Sequence, residues 1–152
     1  MKFSKSLQID CPREQIFDLT QDYPRRLEWD PFLSEARLLD GALTPQIGAK
    51  ALCVDHHGFS MEVVYVAYKR PEVAAVKMVR GPFFLSSFAG TWRFSEAGEG
   101  RTLVLFEYYY RLKWPFAVLR PFVDAVFARE IAERLEALDN FVKARKLTPA
   151  LS

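Results

Sequence analysis

The sequence predicts an α+β domain in which a curved, seven-stranded antiparallel sheet wraps around one long C-terminal helix, with two short helices after the first strand. Runs rich in Val, Tyr, Phe and Leu alternate with turn signals from about Leu38 to Leu112. The last segment, from about Phe116 to Lys146, changes to a helical period. A lone amphipathic helix after an antiparallel sheet buries its apolar face only where the sheet curves around it.

Composition places the chain among single globular domains. Its 152 residues fit one domain, which we predict to span residues 1–152. A net charge of +2 is too small to indicate nucleic-acid binding. No stretch approaches the roughly 20 apolar residues of a membrane span, and the first ten residues contain no continuous apolar segment. Cys11 and Cys53 are too far apart for a metal motif. We therefore expect a cytoplasmic protein with reduced cysteines, no cofactor and no metal.

The N-terminal part reads as one strand followed by short helices. Apolar and polar residues alternate over the first nine positions, as in a half-buried strand. Pro12 and Glu14 mark the start of a helix of about two turns. Residues 22–24 (Asp-Tyr-Pro) interrupt it, and a second short helix is expected from Arg25 to Trp29.

The order of turns separates two ends of the predicted sheet, because successive turns of an antiparallel meander alternate between its ends. One end is polar and carries the turns at residues 40–48, 69–72 and 96–101. The other, which we call the aromatic end, carries the turns at residues 56–59 and 81–85 and the chain exit at 113–116. We predict that it forms a cavity mouth lined by Phe83, Phe84, Trp114 and Phe116. In the alternative, these rings fold inward and plug that end as core.

Bulky side chains recur at every second position of the strands, which places them on one face of the sheet. We predict that this face lines a cavity and contacts a ligand. The predicted ligand-binding residues of the strands are Met61, Tyr65, Met78, Phe88, Trp92, Phe106, Tyr108 and Tyr110. Phe127 and Ile131, from the apolar stripe of the helix, complete the set. The alternative is a fully packed core with no cavity.

The helix carries two further signals. Pro121 does not suit a helix interior, so we expect a kink or a late start there. Glu130 and Arg134, and likewise Asp139 and Lys143, are oppositely charged at i, i+4. Both pairs are predicted as ion pairs on the face away from the apolar stripe.

No catalytic set stands out. His56 and His57 are adjacent, so in a strand they point to opposite faces and cannot easily share a metal; we expect a turn role. Neither a nucleophile elbow nor a phosphate-binding loop is present in the sequence. Glu107 is expected on the outer face, paired with a neighbour such as Arg93; on the inner face it would be a candidate acid or base. Arg80 could hold a ligand carboxylate at the mouth, although a solvated arginine is commoner.

Four segments together carry a family resemblance. They are residues 11–19 (CPREQIFDL), residues 27–32 (LEWDPF), residues 90–94 (GTWRF) followed by 100–104 (GRTLV), and the terminal helix with Leu135, Leu138 and Phe141. In this order they resemble the polyketide cyclase/dehydrase and lipid-transport superfamily, also described as START-like, birch-pollen-allergen-like or SRPBCC. The resemblance covers nearly the whole chain and implies a helix-grip fold with a hydrophobic cavity between sheet and helix. It leaves the chemistry open, because the superfamily holds binders, transporters, cyclases, hydroxylase domains and cochaperone-like proteins.

The leading functional hypothesis is binding or transport of a hydrophobic small molecule or lipid-like ligand without turnover. One alternative is a cyclase or dehydratase acting on a poly-keto chain, and another is a protein-interaction module. Two ionisable groups facing each other across the cavity would favour the enzyme, and tyrosine hydroxyls alone would favour the binder. A closed core with an exposed aromatic patch would favour the interaction module. From residues 111–116 with Arg120 we expect at most weak contact with a membrane surface.

Overall fold

The structure, a computed structural model, describes residues 2–146. It has the predicted architecture, a curled antiparallel sheet around a long C-terminal helix. The elements in chain order are β1 (Lys2–Ile9), α1 (Arg13–Gln21), α2 (Tyr23–Trp29), β2 (Leu33–Leu38), β3 (Lys50–Asp55), β4 (Ser60–Lys69), β5 (Val73–Arg80), β6 (Leu85–Glu96), β7 (Thr102–Leu112), a 3-10 turn (Phe116–Leu119) and α3 (Arg120–Lys146).

The seven strands form one sheet in the order β1-β7-β6-β5-β4-β3-β2, with every neighbouring pair antiparallel. Strands β2 to β7 are therefore a meander, and β1 closes the sheet along β7. The strand run begins at Leu33 rather than at the expected Leu38. Residues 33–38 pair with β3, but a bulge between Leu33 and Glu35 interrupts the alternation of apolar and polar residues. The regular part, from Glu35 to Leu38, is too short to identify the strand.

The two short helices follow β1 as predicted, with one boundary shifted. In α1, Ile16 and Phe17 are fully buried, which fixes this helix on the core. Helix α2 begins at Tyr23, two residues before the expected Arg25. The reason is that Pro24 lies in its first turn, where a proline is tolerated because its missing N–H has no helical partner.

Helix α3 runs along the concave side of the sheet. The late start predicted from Pro121 is confirmed, since the 3-10 turn precedes a helix that begins at Arg120. Its buried face includes Ile131, Leu135 and Leu138, each no more than 1% exposed. Among residues 2–146, no helix has both the length and the apolar character that crossing a membrane requires.

Candidate functional site

A cavity of about 210 Å³ lies between the concave face of the sheet and α3. Its apolar wall comes from the strands and the first half of the helix. Gly90 belongs to this wall, and a Cβ there would lie 3.8 Å from the rings of Phe88 and Tyr108. Any side chain at this position would therefore extend into the space that the glycine leaves open.

A second, wider groove of about 660 Å³ lies at the aromatic end. It shares five lining residues with the cavity, namely Asp55, Phe59, Phe84, Phe127 and Glu130. The groove therefore adjoins the cavity on the side where the sequence predicted a mouth.

Most of the predicted ligand-binding residues line the cavity. These are Met61, Tyr65, Phe88, Trp92, Phe106, Tyr108 and Phe127. Trp92 and Phe106 lie side by side on β6 and β7, with ring centroids 4.0 Å apart. The alternation of bulky residues thus corresponds to the inner face of the sheet. Their contact with a ligand stays a prediction.

Three predicted ligand-binding residues lie outside the cavity wall. Met78 is beside a bulge between β4 and β5, and its sulfur occupies the space where a Cβ on Gly81 would be. Tyr110 donates a hydrogen bond to Asp124 of α3. Ile131 is 1% exposed within the packed core.

The predicted mouth residues differ in position. Phe83, Phe84 and Phe116 line the outer groove, and Phe84 also lines the cavity. Phe83 packs edge to face on Phe84 and on Phe116, with ring centroids 5.5 and 5.4 Å apart. Trp114 is 82% exposed and lines neither space. A role of these rings in ligand access, or in weak membrane contact, stays a prediction.

A buried charge cluster forms the polar side of the cavity. Arg26 and Asp30 are one helical turn apart at the end of α2, and Arg134 approaches them from α3. The Nε atoms of both arginines donate to the same Oδ2 of Asp30, at 2.8 and 2.9 Å. The Asp30 side chain is 0% exposed, and those of Arg26 and Arg134 are 11% and 7% exposed. The ion pair predicted between Glu130 and Arg134 is wrong, because Arg134 turns inward to Asp30.

The cluster holds Asp30 ionised. Burial opposes ionisation, but the guanidinium groups of Arg134 and Arg26 lower the pKa of this carboxyl below its usual value. Its other oxygen, Oδ1, accepts the backbone N–H of Phe32 at 3.0 Å. Arg134 also donates to the hydroxyl of Tyr108, a cavity-lining residue. The cluster thus connects α2, α3 and β7.

A chain of uncharged polar groups lies beside the cluster. The hydroxyl of Tyr65 donates to Oε1 of Gln21 at 2.7 Å, so Tyr23 is the donor in the 2.8 Å contact between the Tyr23 and Tyr65 hydroxyls. Burial raises the pKa of Tyr23 to about 12, and it also raises that of Tyr65. Both phenols therefore remain protonated and serve as hydrogen-bonding groups rather than acids.

Glu130 of α3 lines both the cavity and the outer groove. Burial raises the pKa of its carboxyl to about 7, and the negative charges of Asp30, Asp55 and Glu133 add to this effect. The carboxyl can therefore gain or lose a proton near neutral pH, which is the property that general acid–base chemistry requires.

The sequence interpretation missed Arg26, Asp30, Glu130 and Arg134. One signal was available, because Glu130 and Arg134 lie three and seven positions after Phe127, on the same helical stripe as the buried residues. The predicted ion pair between Glu130 and Arg134 wrongly placed both side chains on the solvent-exposed face of the helix.

The other residues considered for catalysis or metal binding, Glu107, His56 and His57, do not line the cavity. Oε1 of Glu107 lies 3.7 Å from Nζ of Lys2 on the neighbouring strand, so its partner is Lys2 rather than Arg93. His56 and His57 are exposed in the β3–β4 turn, where Asp55 accepts the backbone N–H of His57 at 2.9 Å. Over residues 2–146, no group of three or more His, Cys, Asp or Glu side chains is placed to hold a metal ion.

Comparison with known proteins agrees with this geometry. The family model described as polyketide cyclase/dehydrase and lipid transport matches residues 1–143. No curated protein matches the sequence significantly.

Solved structures share the fold at low sequence identity. A START superfamily protein from Mycobacterium smegmatis has a TM-score of 0.81 at 14% identity, covering 94% of this chain and 97% of its own. The Zhui aromatase/cyclase from a Streptomyces species has a TM-score of 0.80 at 13% identity, covering 95% of this chain and 94% of its own. A protein from Thermus thermophilus has a TM-score of 0.78 at 17% identity, covering 95% and 98%. At these identities the likeness shows the fold alone. The family model, which matches residues 1–143, shows that the chain belongs to the polyketide cyclase/dehydrase and lipid-transport family.

Proposed function

We propose that this protein binds a hydrophobic small molecule in the cavity beneath α3. The observation that carries the proposal is the apolar wall on the concave face of the sheet, joined by a few polar groups, Arg26, Glu130 and Arg134. Small-molecule sites combine these two features, an apolar hollow and a few convergent polar groups. At about 210 Å³ the cavity is smaller than the roughly 300–1,000 Å³ of drug-sized sites, so a compact ligand fits it best.

Two further points concern the location of the protein in the cell and the alternative that it is a protein-interaction module. We expect a cytoplasmic location, because the sequence has only two cysteines, 42 positions apart, and so offers no disulfide framework. A protein-interaction module has less support, because the interior holds a cavity rather than a closed core.

Tryptophan fluorescence tests the binding proposal. Decanol, which is neutral and does not absorb in the tryptophan range, is expected to change the emission saturably, because Trp92 lines the cavity. Trp92→Phe should lose most of that change.

Trp114→Phe provides the matched control. Trp114 is 82% exposed and lines neither the cavity nor the groove, so this variant should titrate like the unmodified protein. A linear, non-saturating response, or identical titrations for Trp92→Phe and the unmodified protein, would show that decanol does not enter the cavity.

A specific observation also favours a second candidate function, a cyclase or dehydratase acting on a poly-keto chain. Glu130 places a carboxyl with a pKa of about 7 on the cavity wall, on the same helix as the cationic Arg134. Such a carboxyl could remove a proton from the carbon between two ketones, while a guanidinium stabilised the resulting enolate.

The enzyme hypothesis has its own test. A linear tetraketone, nonane-2,4,6,8-tetraone, is incubated with the protein. Its carbon between the first two ketones attacks the last ketone, and loss of one water and enolisation make the six-membered ring aromatic, which is followed by ultraviolet absorbance. Catalysis by Glu130 predicts a rate above that of buffer, and Glu130→Gln should lower the catalysed rate about a hundred-fold or more, the usual contribution of a positioned acid or base. Equal rates for protein and buffer, with decanol still bound, would leave the binder and reject this enzyme.

A further inference from the structure

The polar side of the cavity contains an imbalance of charge. Arg26 and Arg134 share one carboxylate, Asp30, and both donate to the same oxygen of it. Burial and the charge of Arg26 lower the pKa of Arg134, but a guanidinium stays protonated in proteins. With Asp30 ionised, the buried cluster keeps one positive charge in excess. Buried charges in proteins are generally paired, because an unpaired charge in a low-dielectric interior is costly. The excess charge is therefore available to an anion that enters the cavity.

Both arginines retain hydrogen-bonding capacity. A guanidinium has five N–H donors on three nitrogens. Within the described part of the chain, Arg26 uses Nε for Asp30 and Nη1 for the carbonyl of Thr20 at 3.3 Å. Arg134 uses Nε for Asp30 and Nη1 for the hydroxyl of Tyr108. Among residues 2–146, neither guanidinium has an acceptor for its Nη2 group. Both side chains belong to the cavity wall.

The rest of the cavity wall determines the polarity of the part of the ligand that does not contact the arginines. Most of the remaining wall is apolar, with rings and aliphatic groups from Val63, Val76, Phe88, Trp92 and Phe106 among others. An anion without an apolar body would leave this surface in contact with water. A neutral hydrocarbon would leave the cationic side unmatched.

We propose that the cavity takes a small organic acid, with its apolar body against the aromatic wall and its carboxylate or equivalent oxygen anion against Arg134 and Arg26. This inference rests on the proposed binding function and adds the chemical class of the ligand. Charge-assisted hydrogen bonds to a guanidinium are among the strongest in proteins, so the anion should contribute much of the selectivity.

Glu130 couples this site to pH. Its carboxyl lies on the same wall, so its ionised form repels a bound anion. Charged and titratable groups surround it on every neighbouring element: Tyr23, Arg26 and Asp30 of α2 and its end, Cys53, Asp55, His56 and His57 of β3 and the turn after it, Tyr65 of β4, Tyr108 of β7, and Arg129, Glu133 and Arg134 of α3. Burial and the acidic groups among them already raise its pKa to about 7. A bound anion adds a further negative charge, so ligand binding near neutral pH should draw a proton onto Glu130.

A pair of matched probes tests the ligand class. Naphthoate and naphthamide share one ring system, and only naphthoate carries a negative charge. Calorimetry at about pH 6 should show naphthoate binding about ten-fold more tightly or better, and the preference should shrink at about pH 8 as Glu130 ionises. Arg134→Gln, checked for folding by circular dichroism, should abolish the preference.

Proton uptake tests the inference in the unmodified protein, even if Arg134→Gln does not fold. Titrations at pH 7 in two buffers of different ionisation enthalpy should reveal net proton uptake with naphthoate and none with naphthamide. Glu130→Gln should abolish the uptake, whereas Glu136→Gln, which alters an exposed carboxylate of the same helix, should retain it. Equal affinities for the two probes would overturn the acid-binding inference and leave the proposed function standing. Binding of neither probe, with decanol still bound, would also overturn the acid-binding inference alone. Only the loss of decanol binding as well would contradict both.

Discussion

Replacing Asp30 with Asn is expected to lower the free energy of unfolding by about 3–5 kcal/mol, the cost of removing one partner from a buried ion pair. Asp30 is the single acceptor for the Nε atoms of Arg26 and Arg134, and its side chain is 0% exposed. Asn keeps the shape but removes the charge, so two guanidinium groups would face each other without compensation. Urea denaturation followed by circular dichroism measures the loss.

Asp18→Asn provides the matched control for this experiment. Asp18 pairs with Arg70 through two hydrogen bonds of 2.7 and 2.8 Å, but both side chains are about half exposed. An exposed ion pair is worth up to about 1 kcal/mol, so this variant should lose no more than that. If Asp30→Asn cost as little as Asp18→Asn, water would have to reach the cluster, and the cavity could not be the low-dielectric site described above.

The fold could be predicted because its signals are local and repeated. The two-residue period of Phe88 and Trp92, the helical spacing of Ile131 and Leu135, and the turns between strands all point to the same arrangement. Because successive turns alternate between the two ends of the sheet, the aromatic residues were predicted at one end, where Phe84 and Phe116 line the groove. The first residues of strand β2 were not predicted, because a bulge between Leu33 and Glu35 interrupts their alternation. Their pairing with β3 depends on tertiary contacts.

The polar side of the site could not be predicted in the same way. Arg26 and Arg134 are 108 positions apart in the sequence, and the packing of α3 against α2 brings both to Asp30. A charged residue on a helix is ordinarily solvated, and local spacing alone does not show that another element covers it. The arginine considered for a ligand carboxylate was Arg80, which lies outside both spaces, whereas the arginines on the cavity wall come from the helices.

Substitution of Glu130 should instead raise stability, in a pH-dependent way. A folded-state pKa of about 7, against an ordinary value of 4.5, means that the folded protein binds more protons than the unfolded chain between these values. Stability should therefore fall as pH rises from about 4.5 to about 7 and then level off. This difference in pKa corresponds to about 3 kcal/mol. Glu130→Gln should remove this dependence and be more stable by about that amount at pH 8, with little difference at pH 4.

Thermal or urea unfolding at a series of pH values measures the effect, with Glu136→Gln as the exposed control on the same helix. Parallel pH profiles for the unmodified protein and Glu130→Gln would mean that the carboxyl is well solvated and does not titrate near neutrality. The predicted profile would show that the chain tolerates a destabilising carboxyl on its cavity wall. Because residues that lower stability in this way are characteristic of functional sites, the same variant that gains stability should lose the proton uptake that accompanies acid binding.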